Sequence, residues 1–149
     1  MAEPDVLEAP NILEYPYTRT VGPVIGRFMT SLREGRIEGV RGTDGRVIVP
    51  PTEYDPVTSE ALDEFVEVGD AGVVTTWAWV SQPRAGNPLD RPFAWALIRL
   101  DGADTALLHA VDAGDEARMA TGMRVKVRWR EERVGEIQDI ACFVAEEGR

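Results

Sequence analysis

Residues Met123 to Arg130 read MRVKVRWR, an unbroken alternation of apolar and basic side chains. A period of two is the mark of a half-buried strand, because successive side chains of a strand point to opposite faces. Met123, Val125, Val127 and Trp129 are therefore expected to face a core. Arg124, Lys126, Arg128 and Arg130 then line up on the other face, about 6.6–6.8 Å apart. Such an element commits the chain to a sheet with one wet side, and the segments around it agree. Leu62 to Val68 reads as a connecting strand and Gly69-Asp70-Ala71-Gly72 as a turn; Val73 to Val80, Phe93 to Leu100, Thr105 to Val111 and Ile137 to Ala145 read as strands. Asp115 to Thr121 is a short helix or loop. Five principal strands with a helical piece between the third and fourth is the order of a Greek-key OB barrel, although the periodicity admits other small barrels.

Upstream, Val21, Val24, Ile25, Phe28, Met29 and Leu32 follow the three-to-four spacing of one helical face. Thr20 is available as N-cap, Pro23 falls in the first turn and Gly35 offers the stop. Such a face either covers the chain's own core or docks a partner, and Val24, Phe28, Met29 and Leu32 are the candidate docking residues. Arg36 to Ser59, RIEGVRGTDGRVIVPPTEYDPVTS, has the outline of a zinc ribbon without its ligands. A ribbon presents two Cys-x-x-Cys knuckles to one tetrahedral ion. Here the first pair would fall on Arg41 and Asp44 and the second on Asp55 and Thr58, so no metal ligand set is assigned. Ile37 to Arg41 and Val47 to Val49 are expected as ribbon strands around the Thr43-Asp44-Gly45 turn. Val40, Val47, Val49 and Tyr54 are expected to form a small core in place of the ion.

The helix, the Gly-Arg-Val-x-x-Pro-Pro signature (Gly45, Arg46, Val47, Pro50, Pro51), the Asp-Pro-x-Thr remnant (Asp55 to Thr58) and the strands after them resemble one known family over residues 15 to 146. It is that of OB-fold, acyl-CoA-associated proteins with an N-terminal rubredoxin-like ribbon, long labelled a domain of unknown function. The resemblance favours OB over other barrels. It implies a mainly β chain: an extended arm over residues 1–18, a helix with a degenerate, metal-free ribbon over 19–60, and a five-stranded Greek-key barrel over 61–149. Proteins of this kind partner lipid-transfer-protein-type thiolases or aldolases that cleave C–C bonds of CoA thioesters in steroid or lipid side-chain degradation. The implied role is that of a non-catalytic accessory subunit in a hetero-oligomer. The CoA thioester is then the substrate of the complex and no cofactor is bound by this chain.

Composition sets limits on the alternatives. The net charge of −10 opposes any polyphosphate partner that lacks a local basic patch to approach, which argues against nucleic acid. Lys126 is the only lysine, as in proteins of GC-rich bacterial genomes. The single cysteine, Cys142, rules out a disulfide framework within the chain and fits a reducing cytoplasm. No stretch approaches the ~18 apolar residues of a membrane span, and the first residues lack the basic and apolar regions of a signal peptide. The arm holds Pro4, Pro10 and Pro16 and reads as a disordered tail; the alternative is that its Ile12, Leu13, Tyr15 and Tyr17 pack along a neighbour or along the barrel.

Catalysis finds little footing. His109, the only histidine, sits mid-strand among apolar residues, and Cys142 lies between Ile140 and Val144. No nucleophile stands beside a base, and the glycines do not form a phosphate loop. Two surfaces remain as candidates for contact. The basic row of Arg124, Lys126, Arg128 and Arg130 could pair with acids such as Glu136 and Asp139, meet an acidic partner or CoA phosphates, or track single-stranded nucleic acid. The loop from Ser81 to Pro92, with Arg84 and Arg91, joins two strands that carry the aromatic anchors Trp77, Trp79 and Trp95. The remaining alternatives are a stand-alone acyl-CoA or lipid-binding module and a single-strand nucleic-acid binder.

Overall fold

The computed structural model describes residues 6–147. The first five residues of the expected arm, Pro4 among them, lie outside the described residues. From Val6 to Thr20 the chain is exposed throughout and enters neither helix nor strand.

Helix α1 spans Gly22–Arg33, with Pro23 in the first turn. It ends where expected, at Gly35, whose φ of 74° is one that glycine adopts without steric cost. Its N-cap is Val21, with no side-chain bond, and not Thr20. The apolar face corrects a larger expectation. Val24, Phe28 and Leu32 are 6%, 2% and 0% exposed, and Phe28 and Leu32 join the same core as the barrel strands. Three of the four proposed docking residues are thus covered by this chain itself, and only half-buried Met29 reaches the surface. The opposite side of α1 is fastened too. Arg27 grips Glu38 through two 3.1 Å bonds, the Ser31 hydroxyl donates to Glu38 at 2.5 Å, and the Arg27 guanidinium lies 4.1 Å over the Phe65 ring. The Arg27 contact outweighs burial and holds the Glu38 carboxyl below its ordinary range.

Strands β1 (Ile37–Arg41), β2 (Val47–Ile48) and β3 (Phe65–Val68) form an antiparallel sheet in the order β2-β1-β3. The strand expected from Leu62 starts at Phe65 and pairs with β1, Ile37 opposite Val68. It therefore belongs with the ribbon-like lobe, and the barrel begins beyond residue 68 rather than at 61. The lobe has no small core of its own of the expected kind. Val47 and Val49 join the main core, Tyr54 is 60% exposed, and Val40 packs with Ile48 and Leu62.

A carboxylate at one of the four knuckle positions ties the lobe together. Asp55, 5% exposed, accepts the backbone N–H groups of Thr43 (2.8 Å), Val57 (2.8 Å) and Thr58 (3.0 Å) and the Thr43 hydroxyl (3.0 Å). One side chain thus ties the first turn to the second, and those N–H bonds drive its pKa far down. Arg41 bonds Glu64 and Asp44 bonds Arg46, so the four knuckle positions do not fit a metal. Among the described residues no cluster of His, Cys, Asp or Glu side chains could hold one.

Strands β4 (Ala71–Val80), β5 (Phe93–Leu100), β6 (Leu107–Asp112), β7 (Arg124–Trp129) and β8 (Ile140–Ala145) close a barrel in the order β4-β5-β6-β8-β7. Only β6 and β8 run parallel. A 3₁₀ turn, Glu116–Arg118, lies between the third and fourth barrel strands, which completes the OB arrangement. Closure depends on Gly72, which pairs with both Leu100 and Val125. A Cβ there would collide with the Arg99 carbonyl oxygen. The last strand is shorter than expected because Ile137–Asp139 forms a 3₁₀ turn. Asp139, fully buried, accepts N–H bonds from Val134, Gly135 and Glu136. Burial pushes its pKa up, but these bonds and Arg130 together hold it below the ordinary carboxylate value.

Candidate docking face of the barrel

Alternation fixes what each barrel strand shows to the outside. On β5, Ala94, Ala96, Ile98 and Leu100 enter the core, so Phe93, Trp95, Leu97 and Arg99 face outward. On β6, Leu107 and Val111 point in, while Leu108 and Ala110 point out. The register sets Leu97 directly opposite Leu108 and Trp95 opposite Ala110. Apart from Arg99, these outward residues are apolar, whereas a solvated face of a barrel is ordinarily polar. Part of it is already roofed. Phe93, Ala110 and Cys142 are 0% exposed and pack with Val80, Leu89, Trp95 and Val144. Leu97 and Leu108 are left 37% and 58% exposed.

The roof is the connection between β4 and β5, and it is anchored. Arg91 bonds Asp112 at 2.5 Å and Arg128 bonds the same carboxylate oxygen at 3.1 Å. The two guanidiniums, Arg91 foremost, pull the Asp112 pKa down against its partial burial. Arg84, the other basic residue expected here, is exposed, and its N–H closes a turn on the Asn87 side chain at 2.7 Å. Beside the roof lies an open groove of about 640 Å³. Leu89, Trp95, Leu108, Ile137 and Ile140 supply its apolar lining, and Arg128 and Arg130 stand at its basic side.

The basic row is present as read, but most of it is engaged. Arg124 bonds Asp101 twice and Glu146 once, all at 2.7 Å, which raises its pKa. Arg128 holds Asp112, and Arg130 bonds Glu136 at 2.7 Å. Lys126 alone has no ion-pair partner among the described residues. Asp139, suggested as a partner for the row, is committed to backbone N–H groups instead. The aromatic anchors divide between two faces. Trp95 pairs with Ala78, so it turns outward while Trp77 and Trp79 turn toward the core at one end of the barrel.

Both residues considered for chemistry are buried. His109 is 5% exposed, stacks edge-on against Phe143 and accepts the Ala110 N–H at Nδ1. Burial lowers its pKa and keeps it neutral. Burial likewise raises the Cys142 thiol, despite Arg128 3.6 Å from its sulfur. The exposed residues Leu97 and Leu108 went unread in the sequence. Their signal was the near-continuous apolar run of Phe93 to Leu100, which marks a strand covered on both faces.

The helix, the small sheet and the closed mixed barrel define an OB-fold protein. The family described as ChsH2, C-terminal OB-fold domain, matches residues 65–130. A crystal structure of a protein of unknown function from the DUF35 family of Sulfolobus solfataricus is similar at 25% identity and a TM-score of 0.58, over 72% of this chain and 77% of that one. A chain of the Ltp2-ChsH2(DUF35) aldolase is similar at 17% identity and a TM-score of 0.62, over 86% of this chain and 98% of that one. No curated protein matches the sequence. The barrel thus matches the ChsH2 OB-fold family model over residues 65–130, and the whole chain is similar in fold to solved structures from the DUF35 family.

Proposed function

We propose that this chain is a non-catalytic accessory subunit that binds and stabilises a thiolase-like enzyme of the lipid-transfer-protein type. That enzyme, an aldolase or thiolase, cleaves a C–C bond of an acyl-CoA from a lipid or steroid side chain in the cytoplasm. The CoA thioester is the substrate of the complex, and the catalytic residues belong to the partner. The observation that carries this reading is the exposed Leu97–Leu108 pair on an outward apolar barrel face. Exposed apolar surface of this kind marks an interaction site. The likeness to a chain of a two-component aldolase is in keeping with it.

Two alternatives are less well supported. A stand-alone acyl-CoA or lipid-binding module would use the basic row, yet Arg124, Arg128 and Arg130 are already neutralised by this chain's own acids. The same pairing, with a net charge of −10, works against single-stranded nucleic acid. Co-expression with a thiolase-like subunit, followed by affinity capture and mass determination, tests the proposal. Co-elution in fixed stoichiometry is expected. Recovery of this chain alone, folded and monodisperse, would count against it, and acyl-CoA titration would then decide for the second reading.

A further inference from the structure

Resting on that accessory-subunit reading, we propose that the N-terminal arm, residues 6–18, is a strap that seats in an apolar channel of the partner subunit bordered by basic side chains. Val6, Leu7, Ile12, Leu13, Tyr15 and Tyr17 are 72–95% exposed. Segments that stay solvated are poor in large aliphatic and aromatic residues, because such side chains gain by leaving water. Half of the positions from 6 to 17 carry one here. Pro10 and Pro16 favour an extended backbone, which lowers the entropy lost when an arm is ordered on a surface. The contact is of the extended-peptide kind, in which side-chain pockets give specificity.

Charge decides what receives it. Between residues 6 and 18 the charged side chains are Glu8 and Glu14, and Arg19 is the first basic one. The receiving surface is therefore apolar with positive edges. This chain's own groove is a poor match, because its cations Arg128 and Arg130 are held by Asp112 and Glu136. No arm residue lines that groove, and the arm is exposed over its whole described length. Its root is well placed to reach a docked partner. Val21 lines a shallow surface groove with Met29, Val134 and Gly135, and Ile137, in the same connection, lines the candidate docking groove. Fifteen residues from Val6 to Thr20 can span roughly 50 Å from that point.

The test uses the full chain and a co-expressed thiolase-like subunit, with the Kd measured by titration of the purified components. An Ile12→Asp, Tyr15→Asp double variant is expected to keep the wild-type melting temperature and to raise the Kd on the order of tenfold or more. A Glu8→Lys, Glu14→Lys variant is expected to raise it several-fold at low salt, with the difference shrinking as salt is added. A Kd within twofold of wild type for the apolar variant overturns the strap while leaving the docking reading intact. An unchanged Kd for the charge variant overturns the basic edges. If the isolated chain dimerises and the apolar variant abolishes the dimer without changing the partner Kd, the arm serves self-association and the proposal is wrong. If the wild-type chain itself does not bind, the accessory-subunit reading fails and the strap falls with it.

Discussion

Replacing Phe28 by alanine separates the two roles for α1, covering its own core or docking a partner. The ring is 2% exposed and packs with Leu32, Ile37, Val49 and the barrel residues in one continuous core. Truncating a buried phenylalanine to alanine costs about 3–5 kcal/mol, because transfer free energy is lost and the cavity relaxes only in part. Against a total stability of about 5–15 kcal/mol, that is a large share. At roughly 3 °C per kcal/mol for a chain of this size, the melting temperature should fall by about 10–15 °C. Urea unfolding followed by tryptophan fluorescence measures it, and an unchanged slope would show that stability alone has moved. Were the face a docking surface held away from the barrel, the substitution would shift stability by no more than about 0.5 kcal/mol. A loss below 1 kcal/mol would refute the packing described for α1.

Gly72→Ala should prevent normal closure between β4, β5 and β7, since the new methyl meets backbone rather than a movable side chain; loss of near-UV circular dichroism or of soluble protein would report it. Asp55→Asn should loosen the lobe before the barrel, seen as faster hydrogen exchange at Thr43, Val57 and Thr58 than in the β5 amides. Because the Asp55 pKa is depressed on folding, its contribution is present above the unfolded carboxylate value of about 3.9 and is lost as pH falls below it. His109 acts in a higher window. Its pKa is also depressed on folding, so stability should begin to fall as pH drops below about 6.5, and His109→Gln should flatten that part of the curve.

The barrel was legible because its strands carry their own pattern. The alternation of Met123 to Arg130 placed Val125 and Val127 inward without knowledge of any neighbour, and β5 has the expected ends. The lobe was less so, since the outline of a ribbon says where turns fall but not which side chain ties them together. The Asp-Pro-x-Thr stretch held the answer in Asp55, whose bond to Thr43 joins residues 12 apart in sequence. Whether α1 covers a core or a partner is not encoded in its periodicity, because both uses need the same apolar stripe. Nor could alternation tell which face of β5 is roofed, since both are apolar and the roof comes from Leu89 and the Arg91–Asp112 pair.

The central claim is that the outward face of β5 and β6 docks a catalytic partner. A Leu108→Asp substitution measures this most directly, because Leu108 is 58% exposed and its loss leaves the core untouched. With a co-expressed thiolase-like subunit, the account predicts a variant of wild-type melting temperature that no longer co-elutes with the enzyme. Co-elution of Leu108→Asp at wild-type stoichiometry and affinity would contradict it.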